Sequence, residues 1–123
     1  MKIKRQDIQK NPDVLFVFGD NDLRTGLGGM AKECRGEPNT IGLRTKHKPS
    51  TSKSSYYNDT EFAENCSKID EDIEAIKQKA SRFCAIFFPD DIGGGLAKMP
   101  DYAPKTYIYL QTKIEELKKL LEK

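Results

Sequence analysis

Two clusters of glycine are the residues whose type and spacing point most directly to chemistry. They occupy residues 26–29 and 93–95. Glycine lets the backbone approach a ligand closely, and the free N–H groups of a loop that leads into a helix can bind an anion such as phosphate. Tight turns between strand and helix also need glycine, but two clusters in the same setting favour a phosphate or pyrophosphate site.

A basic stretch between the clusters could face the same anion. Residues 38–58 contain no acidic side chain, and their cations are Arg44, Lys46, His47, Lys48 and Lys53. Such a stretch indicates either an anionic ligand or a solvated loop, and charge alone does not choose between them. His47 has no acidic neighbour in the sequence, so we assign it no more than a phosphate contact.

The elements that must hold these residues form an α/β pattern. Residues 14–19 and 82–89 are apolar runs typical of strands that are buried on both faces, which requires helices on both sides of a sheet. Both glycine clusters then follow the carboxyl end of a buried strand, where ligands bind in open α/β sheets. Residues 40–45 are a shorter candidate strand, and residues 1–5 are a candidate edge strand.

Helical periodicity supplies the covering layers. Apolar side chains recur every three or four residues over 62–80 and over 107–121, the second segment after Pro104. The last helix is expected to pack on the sheet, with a homodimer seam as its alternative use, and a shorter helix is expected over 29–35. Residues 49–58 are expected to form a mobile surface loop. Its Tyr56 and Tyr57 either stack on a base or pack back onto the core.

Length and composition limit the classes of protein that fit. With 123 residues, of which 37% are hydrophobic and 33% charged, the chain is expected to fold as one domain over 1–123. No apolar run approaches the roughly 20 residues of a membrane span, and no secretory signal is visible, so we expect a cytoplasmic protein. Cys34, Cys66 and Cys84 form no CxxC pair, which favours reduced, mostly buried thiols over disulfides or a zinc site. We expect no metal and no cofactor.

Two well-known phosphate-binding fingerprints do not fit. Gly26, Gly28 and Ala31 formally match the GxGxxA of dinucleotide-binding domains, but a basic segment stands where the ribose-binding acid belongs. The GK[ST] of a Walker A loop is absent from the sequence.

Several short motifs, taken in order, resemble the macrodomain family of ADP-ribose-binding modules over nearly the whole chain. QDI at 6–8 is similar to the family's GDIT-like turn, VFGDN at 17–21 to the end of the next strand, and LGGMA at 27–31 to the first glycine loop. FPDDIGGGL at 88–96 is similar to the second loop. The resemblance implies a compact three-layer α/β fold with a mixed sheet and helices on both faces, shortened by an edge strand or helix.

More narrowly, LRTKHK at 43–48 and IGGGL at 92–96 resemble one branch of that family. The branch contains terminal ADP-ribose protein glycohydrolases and antitoxins that remove ADP-ribose from DNA, and it carries a catalytic lysine at the end of its central strand. The resemblance therefore implies that Lys46 lies near the anomeric carbon of the ligand. There an amine of lowered pKa could form a Schiff base with the opened ribose.

The resemblance also implies roles for other residues. Asp7 and the backbone of Ile8 would hold an adenine, Asn21 would contact the distal ribose, and the glycine-loop amides would hold the pyrophosphate. Lys46 and Asn21 are the catalytic candidates. The whole expected ligand-binding set is Asp7, Ile8, Asp20, Asn21, Gly28, Gly29, Met30, Thr45, Lys46, Asp90, Gly93, Gly94, Gly95 and Leu96.

The sequence departs from the family pattern at several acids. Ala97 stands where the protein glycohydrolases carry an aspartate that assists the lysine, and Asp20 replaces a small residue. Residues 90–91 add two more acids beside the second loop. Unless Arg24, Arg44 or a cation pairs with these carboxylates, they would repel a pyrophosphate.

Three functions are consistent with these residues as hypotheses. The first is a binding module that takes an ADP-ribose-type or related adenine nucleotide and sequesters it, as would suit a bacteriophage protein directed against nucleotide-signalled immunity. The second is a glycohydrolase that removes ADP-ribose from protein or DNA through Lys46. The third, a nucleic-acid-binding protein, is disfavoured by a net charge of only +2. The expected partners are thus a small nucleotide or ADP-ribosylated protein or DNA, and no membrane.

Overall fold

The structure, a computed structural model, describes residues 3–121. Its strands are β1 (Val14–Asn21), β2 (Thr40–Lys46) and β3 (Ala85–Phe87), in the sheet order β2-β1-β3. Its helices are α1 (Arg5–Lys10), α2 (Ala31–Cys34), α3 (Phe62–Ala80), α4 (Met99–Tyr102) and α5 (Pro104–Leu121). Two 3₁₀ turns, Lys53–Ser55 and Asp59–Glu61, lie between β2 and α3.

The sheet pairs its strands in parallel. Phe16 of β1 lies opposite Thr40 of β2 and Phe87 of β3. The expected mixed sheet is therefore wrong for the described residues, since the antiparallel contact there is an isolated bridge between Lys46 and Tyr56. Parallel pairing brings the carboxyl ends of all three strands to one edge of the sheet.

Alternate side chains of β1 fill two apolar cores, as the alternation of a strand requires. Val17 packs in the larger core with α3 and α5, through Ile69 and Leu110. Phe16 and Phe18 pack in the smaller core with α1 and α2. Helices therefore cover both faces of the sheet, and the predicted α/β class is confirmed.

The two long helices lie where their periodicity predicts them. α3 has the predicted bounds of 62–80, and α5 begins at Pro104. Leu110, Ile114 and Leu117 of α5 are buried in the larger core. The apolar stripe of α5 thus packs inside the domain, and its use in a homodimer stays a prediction.

The second apolar run forms a shorter strand than predicted. Of residues 82–89 only Ala85–Phe87 form β3, and Ala85 is exposed. The N–H of Phe83 donates to the carbonyl of Ala80 at 3.1 Å, so the first part of the run closes the end of α3. Ile86 packs against the larger core and Phe87 against the smaller core, but both are only half-buried, so β3 contacts a core on each face without the full burial that its sequence predicts.

The predicted edge strand over 1–5 is not found. Residues 1 and 2 lie outside the described part of the chain, Ile3 and Lys4 belong to no strand, and α1 begins at Arg5. Over residues 3–121 none of the helices is both long enough and apolar enough to cross a bilayer.

The three cysteines differ in burial. Cys34 is buried, Cys66 is half-buried and Cys84 is exposed, so the prediction of mostly buried thiols is wrong for Cys84. Burial raises the pKa of the Cys34 thiol to about 12. Cys34 is therefore an apolar packing residue of the smaller core.

Residues 49–58 are more ordered than a mobile loop. Tyr56 and Tyr57 are both buried, and the ring of Tyr56 stacks on that of Tyr102 with centroids 4.7 Å apart. Of the two alternatives for these tyrosines, packing back onto the core is the one that the structure shows. The end of the basic stretch is thereby held against the domain.

Candidate functional site

A crevice of about 320 Å³ opens at the carboxyl ends of the strands, between the two glycine loops. We call it the glycine crevice. The predicted site residues that line it are Asp20, Asn21, Gly28, Gly29, Met30, Thr45, Lys46, Gly93, Gly95 and Leu96. Both glycine clusters therefore contribute to one cavity.

The backbone amides of both loops are available to an anion. Within residues 3–121, the N–H groups of Gly28, Gly29, Gly93 and Gly95 find no hydrogen-bond acceptor. Backbone N–H groups in folded proteins are nearly always paired with protein, water or ligand. Because α2 has only four residues, its dipole is small, and these unpaired loop amides are the stronger candidates for contacts to an anion.

Gly93 shows why this position requires glycine. Its φ is +92°, a region that other residues rarely adopt. A Cβ at Gly93 would lie 2.7 Å from Sδ of Met99 and 2.9 Å from Cδ2 of Leu110. The carbonyl of Gly93 also accepts the N–H of Met99 at 2.9 Å, so the second loop is anchored to α4 and to the larger core.

Leu96 of the second loop reaches across to the first. A Cβ at Gly28 would lie 3.1 Å from Cδ1 of Leu96, and one at Gly29 would lie 3.4 Å from it. Leu96 lines the glycine crevice and is 62% exposed, whereas Leu27, which is 65% exposed, does not line it. The mouth of the glycine crevice therefore has an apolar rim formed by Leu96.

Asp20 is a buried acid in the wall of the glycine crevice. Its Oδ1 accepts a hydrogen bond from Nη2 of Arg35 at 2.7 Å, and its Oδ2 lies 3.4 Å from Nη1 of Arg24. Its Oδ1 also accepts the N–H of Asn21 at 2.8 Å. With these partners the carboxylate is neutralised, so it does not present an unpaired negative charge to a bound anion.

Asn21 and Thr45 are engaged in local structure. The Asn21 amide donates to the carbonyl of Thr25 at 2.7 Å and accepts the N–H of Leu23 at 3.0 Å. Thr45 donates its hydroxyl to the carbonyl of Asp20 at 3.2 Å. These contacts shape the turn that follows β1, and a ribose contact by Asn21 stays a prediction.

Lys46 ends β2 at the edge of the glycine crevice. Its Nζ donates to the carbonyl of Ser50 at 2.9 Å and lies 4.6 Å from the centroid of the Tyr56 ring. Burial, together with the positive charge of Lys98, lowers the pKa of the Lys46 amine. A lowered pKa raises the fraction of neutral amine, which is the form that acts as a nucleophile.

Four residues of the expected set lie away from the cavity. Asp7, Ile8, Asp90 and Gly94 do not line the glycine crevice. Asp7 instead accepts the N–H of Lys4 at 2.9 Å at the start of α1, and Ile8 is buried in the smaller core. The N–H of Gly94 donates to the carbonyl of Asp91 at 3.2 Å, so it closes a turn rather than facing a ligand. The structure therefore does not bring the expected adenine-binding pair to the site.

His47 does not line the glycine crevice, and a phosphate contact by this residue stays a prediction. Its Nδ1 lies 2.8 Å from Oδ2 of Asp22, and its Nε2 lies 3.0 Å from Oε1 of Glu61. Asp22 also accepts hydrogen bonds from Tyr57 at 2.6 Å and Lys68 at 2.7 Å. Although burial raises the pKa of the Asp22 carboxyl, these hydrogen bonds outweigh it and hold that pKa below its usual value.

In the described range 3–121, no group of three or more His, Cys, Asp or Glu side chains is arranged to hold a metal ion. The cluster around Asp22 is therefore an ion-paired cluster that fixes the basic stretch to α3.

A family model described as a family of unknown function, DUF7831, matches residues 1–113. The chain belongs to DUF7831. Neither a curated protein nor a solved structure matches it. The DUF7831 match contains every residue that lines the glycine crevice, because these residues lie between Gly19 and Ala97.

Several crevice residues of this DUF7831 member are not evident from its sequence. Arg35, Thr25, Pro49 and Ala97 all line the cavity. Arg35 is the most consequential, since it pairs with Asp20 and also donates to the carbonyl of Gly26 at 2.9 Å. The sequence does contain one indication of this role, since Arg35 comes directly after the short helix that follows the first glycine loop.

Proposed function

We propose that the glycine crevice binds an ADP-ribose-type or related adenine nucleotide and that the protein sequesters this ligand. The observation that carries the proposal is the set of free amides from two loops on one cavity. Gly28 and Gly29 contribute from one side and Gly93 and Gly95 from the other. Amides arranged in this way bind phosphate oxygens, and two loops can serve the two phosphates of a pyrophosphate.

The size and rim of the cavity support the same ligand class. A volume of about 320 Å³ lies within the range of small-molecule sites. The exposed side chain of Leu96, which lines the cavity, provides apolar surface for a base at the mouth. Because Asp7 and Ile8 lie elsewhere, the proposal places the base against this rim rather than against α1.

A thermal-shift and calorimetric titration with ADP-ribose tests the proposal. At a concentration of 100 times the dissociation constant, the ligand stabilises the protein by about 2.7 kcal/mol. Gly95→Val should abolish binding without loss of fold, because a Cβ at Gly95 meets nothing within 4 Å and the added atoms enter the cavity. Ala63→Val, on the exposed face of α3, is the matched control and should bind as the wild type does.

The proposal fails if ADP-ribose, ADP and AMP all leave the melting temperature unchanged. It also fails if Gly95→Val binds ADP-ribose as tightly as the wild type, since the ligand would then lie elsewhere.

A second candidate function, removal of ADP-ribose from protein or DNA, is favoured by one observation. Lys46 lines the glycine crevice, and burial and Lys98 lower the pKa of its amine. We infer that, in this case, the neutral Lys46 amine attacks the anomeric carbon. The ribose ring opens, the bond to the modified side chain or base breaks, and this group leaves with a proton as a Schiff base forms. Water then hydrolyses the Schiff base, which releases ADP-ribose and restores the Lys46 amine. Ala97 supplies no acid to assist the lysine, which favours the binding function over the enzyme.

Incubation with ADP-ribosylated protein and ADP-ribosylated DNA separates the two functions. The enzymatic function predicts release of ADP-ribose by the wild type and by Lys48→Ala, whose side chain is exposed, but not by Lys46→Ala. The binding function predicts that ADP-ribose is recovered intact and that no modified substrate loses its label.

A further inference from the structure

Two lysines converge on one aromatic ring, and one of them, Lys46, lines the glycine crevice. Nζ of Lys46 lies 4.6 Å and Nζ of Lys98 lies 6.0 Å from the centroid of Tyr56. The Tyr56 ring is buried and is stacked on Tyr102, so it forms a fixed platform for both ammonium groups. A cation above an aromatic face is stabilised by the ring quadrupole, which helps to hold two like charges together.

The backbone at Lys98 has a conformation that residues other than glycine rarely adopt. Its φ is +48°, and Lys98 and Arg24 are the two non-glycine residues with positive φ in the range 3–121. The N–H of Lys98 donates to the carbonyl of Gly95 at 3.1 Å, and its carbonyl accepts the N–H of Tyr102 at 3.0 Å. Strain of this kind persists where the surrounding structure enforces it, and it is concentrated at functional sites.

Neither lysine is neutralised by the protein. Within residues 3–121, Lys46 and Lys98 form no ion pair with a carboxylate, whereas Arg24, Arg35 and Arg44 all do. Two unpaired ammonium groups held near each other raise the electrostatic free energy of the folded protein, and an anion between them would lower it.

The acids that line the glycine crevice have other partners. Asp20 and Asp91 are the acidic residues that line the glycine crevice. Asp20 is paired with Arg35 at 2.7 Å, and Asp91 accepts the hydroxyl of Tyr107 at 2.7 Å. Asp20 is thereby neutralised, whereas Asp91 keeps its negative charge, and within residues 3–121 neither acid forms an ion pair with Lys46 or Lys98.

We propose that Lys46 and Lys98, held over Tyr56, form a second anion subsite that binds a phosphate group beyond the pyrophosphate held by the glycine loops. This inference rests on the proposed nucleotide-binding function and narrows its ligand class. The preferred ligand is an adenine nucleotide whose end remote from the base carries a charged phosphate rather than a neutral sugar. Lys46 then acts as a binding residue, with both ammonium groups donating to phosphate oxygens.

A comparison of ATP with ADP-ribose tests the contribution of the additional phosphate. ATP and ADP-ribose share the adenosine diphosphate part and differ in the group attached to its β-phosphate, which is a third phosphate in ATP and a ribose in ADP-ribose. Calorimetry in EDTA, which removes divalent cations, should show ATP binding about tenfold or more tightly than ADP-ribose to the wild type. Lys98→Asn should lose that preference, because the variant should bind ATP about tenfold more weakly than the wild type and ADP-ribose less than about twofold more weakly.

The variants are chosen to keep the fold. Asparagine tolerates positive φ better than most residues, so Lys98→Asn removes the charge without adding strain. Lys98→Arg keeps the charge and should retain most of the preference. Lys77→Asn, at an exposed position of α3, changes the net charge equally and should bind both nucleotides as the wild type does.

Equal binding of ATP and ADP-ribose by the wild type overturns the subsite while leaving the proposed function in place. The subsite is likewise overturned if Lys98→Asn weakens both ligands equally, or if Lys77→Asn has the same effect as Lys98→Asn. Failure of both nucleotides to bind overturns the proposed function, and the subsite with it.

Discussion

At the residue scale, ion pairs neutralise Asp20, so this acid can line a proposed anion site without repelling the anion. The carboxylate is 2% exposed and is held by Arg35 at 2.7 Å, with Arg24 at 3.4 Å. The sequence suggests Arg24 or Arg44 as the partner, whereas the structure uses Arg35 as the closest one and Arg24 as the second. Arg44 pairs instead with Asp72 and Glu71. The space for this ion pair comes from Gly42 on the neighbouring strand.

Gly42→Ala is expected to destabilise the protein by about 1–3 kcal/mol, the usual range for overpacking. A Cβ at Gly42 would lie 2.8 Å from Cβ of Asp20, and the Asp20 side chain cannot move aside without breaking its bond to Arg35. Urea unfolding followed by circular dichroism measures the effect. Gly95→Ala is the control, because nothing lies within 4 Å of its added Cβ. Equal midpoints for the two variants would contradict the prediction.

At the scale of elements, α5 begins against an acid from another part of the chain. Oδ2 of Asp59 accepts the N–H of Lys105 at 2.9 Å, and its Oδ1 accepts the N–H and the hydroxyl of Thr106 at 3.0 and 2.9 Å. These backbone N–H groups are orphan donors at the first turn of the helix. Asp59 thus caps α5 from the 3₁₀ turn that precedes α3, and it ties the starts of the two long helices together.

Replacing Asp59 by Ala is expected to cost about 1 kcal/mol at pH 7, the usual cost of losing a helix cap. Burial raises the pKa of the Asp59 carboxyl, but the hydrogen bonds from Lys105 and Thr106 outweigh it and lower that pKa. A carboxyl whose pKa is lower in the folded state stabilises the protein above its unfolded pKa of about 3.9 and loses this effect as the pH falls. The unfolding free energies of wild type and Asp59→Ala should therefore differ at pH 7 and begin to converge as the pH falls below about 4, toward the lowered folded pKa of Asp59. Urea unfolding measures this difference.

Two further variants show whether the loss of stability in Asp59→Ala comes from the lost helix cap. Asp59→Asn keeps an acceptor oxygen and should lose less stability than Asp59→Ala. Asp90→Ala removes an exposed carboxylate that accepts no hydrogen bond from residues 3–121, and it should leave the midpoint unchanged. A difference between wild type and Asp59→Ala that persists undiminished at pH 3 would show that capping is not its cause.

The elements show which parts of the molecule can be predicted from sequence. α3 and α5 can be predicted, because each buries one face and its apolar residues therefore recur with a helical period that is visible in the local sequence. β3 is shorter than its apolar run predicts, since the run does not reveal that its first residues close the preceding helix. The glycine loops can be located because they follow apolar strands. The pairing of Asp20 with Arg35 and the distance of Asp7 from the cavity depend on packing between distant segments, and no local pattern encodes them.

At the scale of the whole molecule, Asp72 joins the sheet, α3 and the turn after β1. One of its oxygens accepts Nη2 of Arg24 at 2.7 Å. The other accepts both the backbone N–H of Arg44 at 2.7 Å and the side-chain Nε of Arg44 at 3.0 Å. Arg24 in turn donates to the carbonyl of Gly42 at 3.1 Å. These side chains cover the outer edge of β2, which would otherwise present unpaired backbone groups to another chain.

Asp72→Ala is accordingly expected to cost about 3 kcal/mol, the lower end of the range for a broken buried pair, because it removes the buried partner of both arginines while Arg24 is 43% exposed and Arg44 keeps its contact with Glu71. Asp72 has a side chain only 5% exposed, whereas Glu71, which also pairs with Arg44, is 70% exposed. Glu71→Gln removes a charge from the same arginine and should cost less than about 1 kcal/mol. Urea unfolding measures both, with Asp72→Asn as an intermediate variant that folds if Asp72→Ala does not. If Asp72→Asn and Glu71→Gln shift the midpoint equally, the ion pairs do not hold β2 to α3, and apolar packing alone joins them.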